Sequence, residues 1–232
     1  MSSNAPFTVS PPLPTTTGDV RRAGWGGIAA AIALIITPAY VFVGPLLGVE
    51  FRAGADAYDP VTNASWTSGL FGLLELAQAV GIGFLVTGVR RALPAGWARD
   101  LGALAGVLWV TGLTLHAAAF MVQNTQAQAA NWSSLTSEVS VRAMIGASVT
   151  VIEWAFFGLA VFAAAAWTIA FLVAGRPAGI VGRGAGISAV VIALIAAGLA
   201  AVGIIPPAAT LAQIPIWLIV GIALVGRSRS LR

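Results

Sequence analysis

A helix needs about 20 apolar residues to cross a hydrocarbon layer of roughly 30 Å. The stretch Gly69–Arg91, GLFGLLELAQAVGIGFLVTGVRR, has that length and character. It closes on paired arginines and carries a single carboxylate, Glu75. Runs of the same kind occupy Gly24–Val49, Leu101–Val122, Ala143–Ala174, Gly184–Ile205 and Ala208–Gly226. The fold class expected is therefore all-α, an integral membrane bundle of six transmembrane helices. The Ala143–Ala174 run exceeds a bilayer's thickness, so its helix is expected to tilt or project. Pro38 and Pro45 imply a kink in the first helix, and Pro206-Pro207 stop the fifth.

Composition agrees with a chain placed largely in lipid. It is 58% hydrophobic and 9% charged, against about 25% charged in a soluble domain. All twelve basic residues are arginine; with abundant Ala and Gly, this reads as a GC-rich bacterial genome. The arginines stand singly or in pairs at the ends of apolar runs, which is membrane topology and not a nucleic-acid face. The absence of cysteine excludes disulfides, a thiolate nucleophile and Cys-ligated metal. Residues 1–20, rich in Ser, Thr and Pro, read as a disordered cytoplasmic tail, leaving 21–232 as the membrane domain. The first apolar run is about twice the 7–15 residues of a signal h-region. It is read as a retained helix despite the cleavage-like AGADA at 53–57.

Cytoplasmic loops collect arginine. With the N-terminus inside, ten arginines fall inside (21, 22, 90, 91, 99, 176, 183, 227, 229 and 232) and only Arg52 and Arg142 outside. Both termini are thus expected in the cytoplasm of a bacterium, with the chain in its inner membrane. Trp25 and Trp97 fall at the inner interface, and Trp66 and Trp132 at the outer one. The outer connections, Glu50–Ser68 and Gln123–Arg142, are the long ones. The first is acidic, with Glu50, Asp56 and Asp59; the second is polar. Asn63 and Asn131 match glycosylation sequons, read as chance in a bacterium.

Three ionisable residues lie inside apolar runs: Glu75, His116 and Glu153. Such residues usually face protein or water and mark functional sites. At about 1.5 Å per residue, Glu75 and His116 each lie roughly 9 Å below the outer boundary, and Glu153 at a similar depth. All three are expected in one layer of the outer half of the membrane. Gln78 follows Glu75 at i+3, Thr150 precedes Glu153 at i−3, and Gln123 follows His116 at i+7, each extending a polar stripe. The candidate binding or proton site is therefore Glu75, Gln78, His116 and Glu153. The bland alternative is that the same side chains only bond helix to helix, at on the order of 1 kcal/mol per contact.

Other chemistry lacks its residues. No HExxH or ExxH spacing supports a metal, and one histidine excludes bis-His haem. GRGAG at 182–186 has neither the strand nor the lysine of a phosphate loop, and reads as a turn with a packing face. Gly102-x-x-x-Gly106 likewise reads as helix packing. No catalytic residue and no cofactor are expected. The lipid bilayer is the expected partner, with other membrane subunits or further copies of the chain as open alternatives.

Several short elements carry a family likeness. They are Arg22-Ala23-Gly24 leading into the first helix, Leu73-Leu74-Glu75 in the second, Glu153-Trp154-Ala155 in the fourth, and a closing apolar helix ending in arginine. Together these resemble the uncharacterised bacterial six-helix membrane proteins grouped as domain-of-unknown-function family 4386, over about residues 21–228. The resemblance implies a six-span inner-membrane protein and no established activity. Members often carry Arg-Asp-Trp where this chain has Ile152-Glu153-Trp154, so the arginine is absent here. The functional expectation is a non-enzymatic subunit, sensor or small permease-like protein with a polar Glu/His cluster in the outer half of the membrane. The alternative is an intramembrane enzyme using Glu75 or Glu153 as base with His116 assisting, for which Arg52 and Arg142 are the only outer cations.

Overall fold

The computed structural model describes residues 17–43, 46, 58–62, 64, 66–204 and 206–230. They form seven helices: α1 (Thr17–Val43), α2 (Trp66–Ala92), α3 (Trp97–Asn124), α4 (Gln126–Leu135), α5 (Val139–Gly175), α6 (Arg183–Ala201) and α7 (Pro206–Ser230). The described residues contain no strand. Four helices are long and apolar enough to cross a membrane: Gly69–Ala92, Trp97–Val122, Val139–Gly175 and Arg183–Ala201. α5 extends about 55 Å at the usual rise.

The helices close into a ring in which α1 packs on α2, α2 on α3, α3 on α5, α5 on α6, α6 on α7 and α7 back on α1. In α6 the ring buries small side chains and turns large ones outward, the reverse of a water-soluble helix. In α6 the buried residues are Gly186, Ala189, Ala193, Ala196 and Ala200, while Ile187, Val191, Leu194 and Ile195 are about half exposed. Lipid tails are as apolar as leucine, so burying large chains gains little there; small faces let backbones approach closely. The α1–α7 crossing is an instance. A Cβ on Gly24 would stand 2.7 Å from the Gly221 carbonyl oxygen, and one on Gly221 2.8 Å from that of Gly24. Gly26 and Gly81 serve the α1–α2 crossing in the same way.

A ring of six helices has a centre to fill. Here Trp109 of α3, Trp167 of α5 and Trp217 of α7, all within 2% of complete burial, meet across it. The Trp109 ring lies 5.5 Å from that of Trp167 and 5.7 Å from that of Trp217. Three indoles thus plug the bundle axis.

Several boundaries differ from expectation. α1 begins at Thr17, inside the stretch read as a tail, because Asp19 in its first turn favours the positive helix end and pairs with Arg91 of α2 at 3.2 Å. The loop read across Gln123–Arg142 contains the ten residues of α4, and α5 starts early enough to include Arg142. Pro206 and Pro207 open α7 instead of only ending its predecessor, since proline suits a first helical turn. The expectations about Pro45, Glu50, Arg52, Asp56, AGADA and Asn63 lie outside the described residues, as do those about the side chains of Pro38, Trp66 and Gln123. Trp25 and Trp97, at the arginine-bearing end, are exposed as interfacial anchors would be.

Candidate functional site

Three neighbouring helices build the site. On α3 the buried positions Ala105, Trp109, Leu113, His116 and Ala117 follow the 3.6-residue period, so His116 lies on the stripe that faces the bundle. On α5 Glu153 lies in the buried series that continues through Phe157, Ala160, Val161 and Ala164. On α2 Glu75 lies four residues after buried Phe71 and three before Gln78, which is 1% exposed. Because α3 packs against both α2 and α5, its histidine stands between the two carboxylates.

The geometry is asymmetric. His116 Nδ1 is 2.9 Å from Glu75 Oε2, and His116 Nε2 is 3.6 Å from Glu153 Oε1. The shorter approach lacks hydrogen-bond alignment, and the longer exceeds hydrogen-bond length. Accordingly Glu75 Oε2, His116 Nε2 and the Gln78 side-chain nitrogen have no hydrogen-bond partner. Aromatic rings wall the imidazole on the α5 side, with the Phe157 centroid at 4.7 Å and Trp154 at 6.1 Å. The side chains of the three ionisable groups are 7–13% exposed, Glu75 the most. Thr150, on the Glu153 stripe, instead donates its hydroxyl to the Gly146 carbonyl.

Most buried polar groups in folded proteins are satisfied; here Glu75 Oε2 and His116 Nε2, two atoms of one Glu–His–Glu array, lack an aligned hydrogen bond. The arrangement does not suit a metal, whose ligands must converge on one point. These carboxylates lie on opposite nitrogens of a single ring, and no metal-holding group of His, Asp or Glu occurs among the described residues. Two cavities among the described residues lie away from the site, one between α1 and α2, the other around Trp167 and Arg90. What the arrangement can hold is protons. With none shared, Glu–His–Glu carries two negative charges; with two, it is neutral. Groups this close exchange protons as a unit.

No protein-family model, curated protein or solved structure matches this chain.

A second polar cluster went unread in the sequence. Arg142, taken as an outer-loop charge, is 7% exposed and grips Asp59, which is fully buried. Nε donates to Oδ1 at 3.0 Å and one terminal nitrogen to Oδ2 at 2.9 Å, a bidentate pair. The other donates to the Thr136 carbonyl at 3.0 Å. The Val61 amide and the Thr62 hydroxyl also donate to Asp59. The Arg142 guanidinium beside Asp59 holds its carboxyl at about 2, below the ordinary 3.8. The connection that leads into α2 is thereby fastened to the start of the helix that carries Glu153. The available signal was a lone arginine standing against the charge bias, opposite an acidic loop.

Proposed function

We propose that this is a six-span protein of a bacterial inner membrane, both termini cytoplasmic, in which Glu75, His116 and Glu153 form a proton-binding site reached from the outer side. It acts as a non-enzymatic sensor or small permease-like subunit. The resemblance to the six-helix family belongs to the same proposal. One observation carries the reading: a buried imidazole stands between two carboxylates, in ion-pair reach of both, with no aligned hydrogen bond at its Nε2 or at its nearest carboxylate oxygen. Side chains serving only as interhelical glue would be expected to complete their hydrogen bonds. Trp109, about 10 Å inward of His116 along α3, belongs to the indole plug; that favours access from one side. Lipid chemistry lacks support, since Arg142, an outer cation it would use, is committed to Asp59.

His116 is the sole histidine, so ¹⁵N-histidine labelling of an untagged chain in liposomes gives one resolvable signal pair. The expected result is a His116 spectrum that responds reversibly to outer pH, with that response altered in Glu153→Gln. A His116 spectrum that does not change with outer pH sinks the proposal.

A further inference from the structure

Segment 58–62, the strap that precedes α2, crosses the bundle-facing side of α5. Arg142, Gly146 and Glu153 all belong to that buried side, since steps of four and seven residues return to one face of a helix. A Cβ on Gly146 would run into the Tyr58 carbonyl oxygen and stand 3.3 Å from Pro60 Cδ. The strap therefore rests on bare α5 backbone. Glu153 lies seven residues farther along, or about 10 Å deeper.

The register of α3 on α5 fixes what lies beneath. Gly112 of α3 stands against Phe156 and Ala160, and Gly102 against Ala170, so the two helices run antiparallel. Gly146 is about twelve residues before the α5 position opposite Gly112, and about twelve residues beyond Gly112 α3 ends at Asn124. There Thr125 breaks the helix with an extended backbone. The strap thus takes over the inward face of α5 at the level where α3 stops, two turns above His116 and Glu153. Its polar hold is concentrated on one guanidinium. Asp59 accepts four hydrogen bonds: those from Val61 and Thr62 shape the strap itself, and the two from Arg142 tie it to α5. Tyr58 is 45% exposed. Segments with few buried contacts open locally at a small free-energy cost.

We infer, on the reading of Glu75, His116 and Glu153 as a proton site, that segment 58–62 is a gate over that site, shut while Asp59 holds Arg142 and open to water when it lets go. Shut, it keeps the imidazole and both carboxylates out of bulk water. Open, it gives water and the protons water carries a path to them.

Thr150 lies beneath the strap, one turn from Gly146 and three residues from Glu153, and is half-buried. In a chain without cysteine, Thr150→Cys reports water at that depth. Its reaction with a cationic, water-soluble methanethiosulfonate is followed by mass in lipid nanodiscs, where both membrane faces meet the reagent. Asp59→Asn, which keeps the shape and removes the charge that Arg142 holds, should speed the reaction about ten-fold or more. Gly146→Ala, which lifts the strap while favouring the helix, should also speed it, with Asp59 and Arg142 both in place. Ser133→Cys on exposed α4 and Ala193→Cys on the buried face of α6 should react alike in every background, the first fast and the second slowly. Equal rates at Thr150→Cys with the strap intact and altered overturn the gate. So does a rise at Ala193→Cys matching that at Thr150→Cys, which is general loosening. If Asp59→Asn does not fold, Gly146→Ala decides. The proton reading fails separately, through a His116 spectrum that ignores pH while Thr150→Cys still reports the strap.

Discussion

Asp59 and Arg142 lie 83 positions apart and meet through two parallel hydrogen bonds with no solvent around the carboxylate. Removing one partner of a buried pair strands the other charge. Asp59→Ala is therefore expected to destabilise the fold, read as a lowered melting temperature in detergent. Adding Arg142→Met should recover part of that loss. The pH dependence has a definite sign. A carboxylate whose folded value lies below its unfolded one stabilises above the unfolded value and loses that contribution as pH falls through the folded one. With 3.8 lowered to about 2, the loop should stay fastened above about pH 4 and loosen between there and about pH 2. Proteolysis of the connection that carries Asp59, followed as a function of pH, would show this.

The contact of α3 with α5 sets the distance between His116 and Glu153, and glycine sets that contact. A Cβ on Gly112, one turn before His116, would stand 2.9 Å from both the Phe156 carbonyl oxygen and the Ala160 amide nitrogen. Those are backbone atoms and cannot rotate away. Gly112→Val should push the helices apart and destabilise by about 1–3 kcal/mol. The same change should weaken the effect of Glu153→Gln on the His116 spectrum. Gly158 sits on the same pair of helices with nothing within 4 Å of its absent Cβ. Gly158→Ala should be tolerated, gaining up to about 1 kcal/mol of helix propensity. Thermal melts of the two variants, measured together, separate close approach from propensity. Gly102, read as a packing glycine, would place a Cβ 3.3 Å from that of Ala170 on α5, while Gly106 faces Val86 on α2. One GxxxG therefore serves two neighbours, because α3 lies between them in the ring.

At the scale of the whole molecule, four helices meet the requirements for crossing a membrane, and the six-span arrangement depends on α1 and α7 crossing as well. The absence of cysteine gives a clean background for mapping. A single cysteine at exposed Ser133 of α4 should react with an impermeant maleimide in intact spheroplasts. Cysteines replacing Ser10 and Ser230 should react only after permeabilisation. Labelling of all three from outside would break the orientation argued from arginine placement.

What the chain alone determined was whatever depends on local composition and period. Runs of apolar residues place helices, and the depth count puts Glu75, His116 and Glu153 in one layer, because helix rise is constant. The 3.6-residue period also turns each of them onto a buried stripe. Tertiary structure decided how the layers meet. It set His116 between two carboxylates on opposite nitrogens, since α3 has α2 on one side and α5 on the other. It took Arg142 out of the water and gave it to Asp59, through a contact between residues too far apart for any local pattern to carry. It also filled the axis with Trp109, Trp167 and Trp217, which along the chain look like three unrelated aromatics. Their meeting depends on ring closure, and that is a property of helix packing, not of any one helix.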